Sequence, residues 1–332
     1  MVLAAPIHAV AQVPDNKKVL IRTRVDAVTE IAEDISCYEL SADSLPGFSA
    51  GSHIDVHIPG GLIRQYSLCN DPRENHRYVI AVLKEKNGRG GSKYMHEHLL
   101  AGDGLLVSRP RNHFPLVMGN GRLHFAAGGI GITPIMSMVA ECIRRNADFH
   151  LHYCVRSRSR AAFLDRLRPL LESGRATLHV DEEGARPDFR QTFERPGAGE
   201  HIYYCGPPGF MDHLASATRH WPEGSVHFER FTAAAESGTA AKASENEAFE
   251  IQIAGSGKRY TVQPDETIVQ VLRRHGFQVD VSCEEGYCGT CMTRYVGGRP
   301  EHRDSVLDEA NRNTYVMICC ARAQESPLVL DI

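Results

Sequence analysis

Near its carboxyl end the chain reads Cys283-Glu-Glu-Gly-Tyr-Cys288-Gly-Thr-Cys291, which places three cysteines within nine residues. The C-x4-C-x2-C spacing, followed at a distance by Cys319 and its neighbour Cys320, is typical of plant-type [2Fe–2S] clusters. A zinc site is the alternative, but structural zinc sites usually combine two separated cysteine pairs. The stretch therefore predicts a one-electron iron–sulfur centre at the end of the chain.

Length and composition set the frame for the rest of the molecule. A chain of 332 residues predicts two or three domains. Apart from the four cysteines assigned to the cluster, the cysteines are scattered singly, which argues against an extracellular disulfide framework and favours a reducing cytoplasm. No run of about 20 apolar residues predicts a membrane span, and residues 1–16 lack the basic start of a signal peptide. We expect a cytoplasmic protein with a loose extension over 1–16.

Charge gives a weaker indication. No basic stripe suggests a nucleic-acid partner. From Glu245 onward the chain carries 14 acidic against 9 basic residues. This excess either steers a basic protein partner or forms an ordinary solvated surface.

Four segments of different pattern follow one another. Over residues 17–117, short alternating strands such as His53–Ile58 are separated by Gly, Pro, Asn and Asp turns, which predicts an antiparallel β-barrel or sandwich. Over 118–232, strands alternate with helical segments, which predicts a parallel α/β sheet. Residues 233–247 are small and polar and predict a linker. Residues 248–332 form a small module that the cluster should help to hold together.

Two stretches of the barrel segment have the residues needed to bind a phosphate and a planar ring. Arg64 and Tyr66 lie two positions apart on a strand, where an arginine neutralises a phosphate and a tyrosine covers a ring. An edge-strand ion pair with a half-buried tyrosine is the alternative. Gly91 and Ser92 precede a helix, whose free amides favour an anion; Ser92 could instead be an ordinary N-cap.

Three stretches of the α/β segment point to a nucleotide. The loop 128–134 (GGIGITP) follows a strand and opens a helix, with Thr133 at the N-cap position and Pro134 at the first helical position. It differs from G-x-G-x-x-G, yet its glycines equally let a pyrophosphate approach backbone amides; a structural turn is the alternative. Cys205 ends a later strand at the edge where ligands bind, or is a lone buried cysteine. Glu229 and Phe231 border a cofactor or close a core strand.

Taken together, these stretches resemble the phthalate dioxygenase reductase family, the one-chain reductases of Rieske oxygenases that include vanillate demethylase reductases. The resemblance rests on six stretches in a fixed order: R-Q-Y-S-L, G-G-S, G-G-I-G-I-T-P, C-G-P-P-G, F-E-R-F and C-x4-C-x2-C…C. It implies a multidomain fold: an FMN-binding antiparallel β-barrel (17–117), an NAD-binding α/β parallel-sheet domain (118–232) and a β-grasp plant-type ferredoxin domain (248–332).

The resemblance also implies roles for individual residues. Ser67 is expected near the flavin N5, Phe231 beside the flavin ring, and Thr133 and Cys205 near the flavin–nicotinamide contact. Expected catalytic residues are Ser67, Thr133, Cys205 and Glu229. Expected cofactor-binding residues are Arg64, Gln65, Tyr66, Ser67, Val82, Gly91, Ser92, Gly128, Gly129, Gly131, Thr133, Pro134, Arg156, Cys205, Gly206, Pro207 and Phe231. Expected cluster ligands are Cys283, Cys288, Cys291 and Cys319, with Cys320 as a neighbour.

The implied activity is hydride transfer from NADH to FMN, then single-electron transfer to the cluster and on to a terminal Rieske oxygenase, by a monomer. One stretch argues against NADH: Arg156, Arg158 and Arg160 follow a strand, and arginines accommodate the 2′-phosphate of NADPH. We expect NADH, with NADPH as the open alternative.

Two other functions fit the same residues. The first is an NADPH-dependent reductase of the same build that serves another acceptor such as a cytochrome P450. The second is an electron carrier or redox sensor with a vestigial nucleotide domain, which the intact glycines of 128–134 disfavour.

Overall fold

A computed structural model gives the fold, and it describes residues 20–59, 61–86, 88, 90–231, 246–286, 288–304 and 306–332. The predicted extension 1–16 lies outside these ranges, as does all of the predicted linker 233–247 except its last two residues. Within these ranges, no helix combines the length and the apolar character needed to cross a bilayer.

The first part of the chain folds into a six-stranded antiparallel sheet with the order β4-β3-β6-β1-β2-β5. Its strands are Ile21–Ala32 (β1), Ile35–Ser41 (β2), His53–Ile58 (β3), Leu62–Ser67 (β4), Tyr78–Leu83 (β5) and Gly104–Val107 (β6). Helix α1 (Gly91–His98) connects β5 to β6 and starts two residues before the predicted position 93. The alternating apolar residues of these strands fill one interior, around Tyr38, Ile54 and Ile80.

The barrel is incompletely closed. A bridge between Leu68 and Ile80 joins the end of β4 to β5. Among the described residues, pairing between these two strands is limited to that bridge. The two edge strands therefore diverge beside residues 64–67, and the gap between them is available to a ligand.

The second part of the chain is a five-stranded parallel sheet with the order β11-β10-β7-β8-β9. Its strands are Leu123–Gly128 (β7), Phe149–Val155 (β8), Ala176–Val180 (β9), His201–Cys205 (β10) and Val226–Glu229 (β11). Its helices are Ile132–Arg144 (α2), Leu164–Glu172 (α3), Phe189–Thr192 (α4) and Pro208–Ala217 (α5). The loop 128–134 and Cys205 both lie at the carboxyl edge of this sheet, as expected from strand polarity.

One hydrophobic core runs from the barrel into the parallel sheet. It joins Ala50, Val79 and Phe114 of the barrel to Phe125 and Ile135 of the α/β part. Polar contacts follow the same seam, since the Ser137 hydroxyl accepts a hydrogen bond from the Gly51 amide at 3.0 Å. The predicted boundary at 117/118 stays a prediction, but the packing does not divide there.

The last part of the chain has its own core, built around Ile251, Leu272 and Val316. Its five-stranded sheet has the order β13-β12-β16-β14-β15. The strands are Phe249–Ile253 (β12), Arg259–Val262 (β13), Met292–Glu301 (β14), Tyr315–Met317 (β15) and Arg322–Leu330 (β16). The helices are Ile268–Arg274 (α6) and Glu309–Arg312 (α7). Barrel, parallel sheet and ferredoxin-type module are all confirmed as predicted.

Helix α6 shows why this short segment folds as it does. Thr267 and Gln270 form a reciprocal capping box at its start. Gly276, at φ 84°, follows the helix as the expected C′ residue, and the amide of Phe277 bonds to the Leu272 carbonyl oxygen at 3.0 Å. The helix ends at Arg274, and the chain then leads to the cysteine loop.

Candidate cofactor cavity and cluster loop

A cavity of about 440 Å³ opens in the gap between β4 and β5, a size suited to a cofactor. All three parts of the chain line it. The barrel contributes residues of β4, β5 and the start of α1; the α/β part contributes Ile130, Thr133 and Phe231; the last module contributes Ser282, Cys283 and Cys288. A ligand in this cavity would lie within reach of each module.

Four consecutive residues of β4, from Arg64 to Ser67, line the cavity. Strict alternation placed Arg64 and Tyr66 on one face and Gln65 and Ser67 on the other. The difference arises because β4 is an edge strand, so a ligand beside it meets the strand along its free edge instead of on one face. The four residues predicted to bind a cofactor are thereby brought together.

Arg64 and the start of α1 lie together in the cavity lining. The side chain of Arg64 packs directly on Gly91, where a Cβ atom would lie 2.6 Å from the arginine Cγ. Helix α1 begins at Gly91, so its free amides lie beside the guanidinium group. The helix is capped by Gly90 at φ 85°, and the Ser92 hydroxyl accepts a hydrogen bond from the Glu85 amide at 3.1 Å. Ser92 is therefore not the N-cap, and the pair of Arg64 and the helix start fits a phosphate.

One predicted cofactor-binding residue lies elsewhere. The side chain of Val82 is fully buried in the barrel interior, and its carbonyl oxygen bonds to His96 Nε2 at 2.8 Å. Its neighbours Ala81 and Leu83 line the cavity instead. Because side chains alternate along a strand, the Val82 side chain points away from the cavity, and its cofactor-binding role stays a prediction.

Ser67 lies at the inner wall of the cavity, next to a buried carboxyl group. Its hydroxyl points to Glu229 Oε2 at 3.5 Å. Glu229 Oε1 lies 3.8 Å from Nδ1 of His53, a residue that is 1% exposed. Burial raises the pKa of Glu229 to about 8, so this carboxyl group holds a proton at neutral pH.

Cys205 ends β10 directly beside Glu229 on β11. Its thiol is fully buried, and burial together with the Glu229 carboxyl raises its pKa well above the ordinary range. The thiol therefore stays neutral, which suits a polarisable contact and excludes a thiolate nucleophile. The close packing behind it depends on Gly131, where a Cβ atom would lie 2.2 Å from the Cys205 carbonyl oxygen.

The start of α2 differs from the prediction. Thr133 is not the N-cap and Pro134 is not the first helical residue, because a 3-10 turn over Gly129–Gly131 leads straight into a helix that begins at Ile132. The Thr133 hydroxyl instead donates to the Ile130 carbonyl oxygen at 3.0 Å. Thr133 still lines the cavity, as the second residue of the helix.

The remaining predicted nucleotide-binding residues lie around the same sheet edge, outside the cavity lining. Gly128 packs against Pro207, and Gly206 lies against Gly128. Arg156 is exposed just after β8.

Two arginines beyond Arg156 are held by acidic residues. Arg158 forms a bidentate pair with Glu183 at 2.5 and 2.9 Å. Arg160 pairs with Glu33 at 2.7 Å and with Asp34 at 3.1 Å. Both guanidinium groups are thus neutralised by carboxylates of this chain.

The cysteine loop converges as a cluster site requires. Cys283, Cys288, Cys291 and Cys319 are all at least 96% buried. The thiols of Cys283, Cys291 and Cys320 approach Cys319 closely enough to raise its pKa. Main-chain amides point at two sulfurs, from Glu285 to Cys283 Sγ at 3.4 Å and from Cys283 to Cys288 Sγ at 3.5 Å. Such amides stabilise thiolates, so this donor set fits a [2Fe–2S] cluster.

Cys320 differs from its neighbour Cys319. It is only half-buried, and its thiol points to the Met317 carbonyl oxygen at 3.7 Å. This orientation agrees with the expectation that Cys320 is a neighbour of the ligands.

Two contacts fasten the loop to the barrel. Gln65 Nε2 donates to the Cys288 carbonyl oxygen at 3.1 Å. The Thr290 hydroxyl lies 3.3 Å from Oδ1 of Asp55, a fully buried carboxylate that pairs with Arg111 at 2.7 Å. The cluster loop is therefore seated at the mouth of the cavity.

The sequence did not indicate the residues at which the barrel contacts the cluster loop and Glu229. His53, Asp55 and Thr290 belong to no recognisable sequence motif. Each contacts a partner that lies more than 150 positions away in the chain. The one available signal was in β3, where His53 and Asp55 alternate with the apolar residues that fill the barrel interior and are buried on the opposite face of the strand.

Two family models match the chain. The 2Fe-2S iron-sulfur cluster binding domain matches residues 251–324. The oxidoreductase NAD-binding domain matches residues 125–216. These matches cover the two parts of the chain for which the sequence predicted a cluster and a nucleotide.

Relatives match almost the whole chain. A vanillate O-demethylase oxidoreductase of Pseudomonas putida is 44% identical over 320 residues, which are 93% of this chain and all of the relative. The solved structure of a phthalate dioxygenase reductase has a TM-score of 0.70 at 38% identity, covering 94% of this chain and 98% of that one. An intact type IV self-sufficient cytochrome P450 monooxygenase has a TM-score of 0.82 at 37% identity, covering 94% of this chain and 41% of that chain.

Proposed function

This chain belongs to the phthalate dioxygenase reductase family, and we propose that it delivers electrons to the terminal Rieske-type component of an aromatic or related oxygenase system. It is an NAD(P)H-dependent iron–sulfur oxidoreductase that passes electrons from NADH through FMN to a [2Fe–2S] cluster. The predicted family, cofactors and reductase activity are confirmed. The residue roles below are our proposals.

One observation carries the residue assignment: a single cavity is lined by Ser67 of the barrel, Thr133 of the α/β part and Cys288 of the cluster loop. Electron transfer between a nucleotide, a flavin and a cluster requires the three to be neighbours. The shared cavity provides that proximity without any large movement of the chain.

We propose that Arg64 and the start of α1 at Gly91 hold the FMN phosphate, with Tyr66 and Phe231 against the ring. Bound FMN supplies the conversion of one two-electron hydride into two single electrons. Ser67 and Glu229 hold a proton at the inner wall, and Thr133 and Cys205 border the place where the nicotinamide enters. Cys283, Cys288, Cys291 and Cys319 hold the cluster.

The arginines after β8 support the preference for NADH. Reading a 2′-phosphate requires a guanidinium group with free donors and an uncompensated charge. Arg158 and Arg160 are already paired with Glu183 and with Glu33. Arg156 then remains to contact the adenosine half of the nucleotide.

The test is an anaerobic titration of the purified full-length chain, followed by its absorption spectrum. We expect bound flavin, and bleaching of both flavin and cluster by NADH at lower concentration than by NADPH. Absence of flavin, or a cluster that NADH leaves oxidised, would contradict the function. Preferential bleaching by NADPH would contradict the nucleotide assignment alone.

A second acceptor is favoured by one observation. The match covers 41% of the chain of the self-sufficient P450 monooxygenase. In that protein, a part built like this chain is therefore joined to a P450. A P450 is therefore the alternative acceptor for this chain. Electron delivery to a purified Rieske oxygenase, compared with delivery to a P450 under the same conditions, separates the two.

We further propose that the chain acts as a cytoplasmic monomer whose partner is the oxygenase protein. The contacts that join the modules, such as the Gln65–Cys288 hydrogen bond, lie within one chain, which supports a monomer. Light scattering on the flavin-loaded protein checks the mass; a stable dimer at micromolar concentration would contradict it.

A further inference from the structure

His53 is a buried base whose ring makes no hydrogen bond within the described part of the chain. It begins β3, is 1% exposed, and among the described residues neither ring nitrogen has a hydrogen-bond partner. Leaving a buried polar group unpaired costs stability, so such a group in a folded protein calls for an explanation. The proposed function gives His53 no role so far.

The nearest acid is Glu229. Its Oε1 atom lies 3.8 Å from His53 Nδ1, while its Oε2 atom lies 3.5 Å from the Ser67 hydroxyl. The two oxygens of one carboxyl group thus face opposite ways, one toward the cavity and one toward the buried base. Cys205, the other titratable group beside Glu229, is a neutral thiol.

Burial keeps both members of the pair neutral at pH 7. Burial raises the pKa of Glu229 to about 8. Burial, with a further contribution from Arg111 and His113, lowers the pKa of His53 well below its ordinary value. The protonated carboxyl group of Glu229 therefore lies next to the unprotonated ring of His53. In this arrangement a proton can pass from one group to the other, and the buried charge it creates is short-lived.

The series of neighbouring side chains from Ser67 through Glu229 and His53 continues to the surface. The ring of His113 is tilted 32° against that of His53, with centroids 5.3 Å apart, and His113 is exposed. Its Nε2 atom lies 3.1 Å from the position that a Cβ at Gly289 would take. The line from Ser67 through Glu229 and His53 therefore ends at the seam between barrel and cluster loop.

We infer that Glu229 and His53 form the buried route by which one proton leaves the cavity for each NADH oxidised. This inference rests on the proposed function. NADH yields NAD⁺, one proton and two electrons, and a cluster accepts electrons alone. One proton is left in the cavity for every two electrons that pass to the cluster, and it must leave before the next turnover.

Each side chain on the route gives up one proton for each proton that it receives. Glu229 receives a proton at Oε2 from the Ser67 hydroxyl, which is itself re-protonated from the cavity. Glu229 gives up the proton on Oε1 to His53 Nδ1. His53 releases its Nε2 proton toward His113 and solvent. The gap of 3.8 Å exceeds a hydrogen bond of about 3 Å, so the carboxyl group must rotate toward His53 during the transfer.

The test uses His53→Gln in the full-length, flavin- and cluster-loaded protein. Anaerobic stopped-flow mixing with NADH records flavin bleaching, cluster reduction and, with an indicator dye, proton release. We expect flavin bleaching at the wild-type rate and proton release slowed at least tenfold. The solvent deuterium isotope effect on cluster reduction should grow, because proton movement now limits that step. A purely structural role of His53 would not change the isotope effect.

His57→Gln is the matched control, since it makes the same change on the same strand. It should leave all three signals unchanged. If His53→Gln does not retain flavin, His53→Asn replaces it and must give the same separation of flavin bleaching from proton release. Wild-type proton release and isotope effect in these variants would overturn the inference. Failure of NADH to bleach the wild-type flavin would instead overturn the proposed function, and this inference with it.

Discussion

The side-chain amide of Gln65 donates a hydrogen bond to the main-chain carbonyl oxygen of Cys288, 3.1 Å away and 223 positions later in the chain. Gln65 also lines the cavity proposed for FMN. One side chain therefore touches both the flavin cavity and the backbone of a proposed cluster ligand. We propose that this contact helps to position the cluster loop beside the flavin cavity.

The first prediction concerns this contact. Gln65→Leu should slow cluster reduction by NADH about two- to tenfold, because one hydrogen bond contributes roughly 0.5–1.5 kcal/mol to the docked arrangement. Flavin bleaching should stay at the wild-type rate in stopped-flow traces. Gln191→Leu, at an exposed position of α4, is the control. Equal cluster reduction in both variants would show that the contact does not position the loop.

The second prediction concerns the proposed phosphate site. Arg64→Ala should weaken FMN binding by about 10- to 100-fold, since a hydrogen bond to a charged group contributes roughly 1.5–3 kcal/mol. The measurement is the flavin-to-protein ratio after gel filtration, followed by titration of the apoprotein. Arg168→Ala removes an exposed guanidinium group far from the cavity and should have no effect. Undiminished flavin in Arg64→Ala would refute the phosphate assignment.

The third prediction concerns the cluster. Cys319→Ala and Cys288→Ala should each abolish the cluster spectrum but leave flavin bleaching by NADH, because the barrel and the parallel sheet share a core that the cysteine loop does not enter. Cys320→Ala should retain the cluster, since that thiol points to the Met317 carbonyl oxygen. Loss of the cluster in Cys320→Ala, with retention in Cys319→Ala, would reverse the ligand assignment.

The fourth prediction concerns pH. The pKa of Glu229 is raised from 4.5 to about 8 in the folded state, so the folded chain binds more protons than the unfolded chain between these values. Stability from this group is therefore present at low pH and is lost as pH rises through that window, by up to about 1.4 kcal/mol per pH unit. Glu229→Gln should raise the unfolding temperature at pH 8.5 relative to wild type, and less so at pH 5.

Thermal unfolding of the flavin-free protein checks this shift. Glu172→Gln, at an exposed position of α3, is the control and should show the same pH profile as wild type. A Glu229→Gln profile parallel to wild type would mean that Glu229 is ionised in the folded protein.

How far the sequence predicts this molecule depends on how local each feature is. The cysteine loop and the helix near Gly91 and Ser92 depend on residues within a few positions, and the structure contains both, although the helix begins at Gly91 instead of after Ser92. The start of α2 was misjudged by two residues, because the tight packing of Gly131 on the Cys205 carbonyl decides it. Strand alternation could not show that β4 is an edge strand. Nothing local joins His53 to Glu229, or Gln65 to Cys288.

The separate core of the cluster module has a consequence for how such chains evolve. The barrel and the parallel sheet share buried side chains, so neither can be replaced without redesigning the other. The described contacts that join the cluster module to the barrel include a few hydrogen bonds such as those of Gln65 and Thr290, while its apolar interior is its own. Recombination can therefore exchange this module, and with it the acceptor protein, while the flavin half is inherited as one piece.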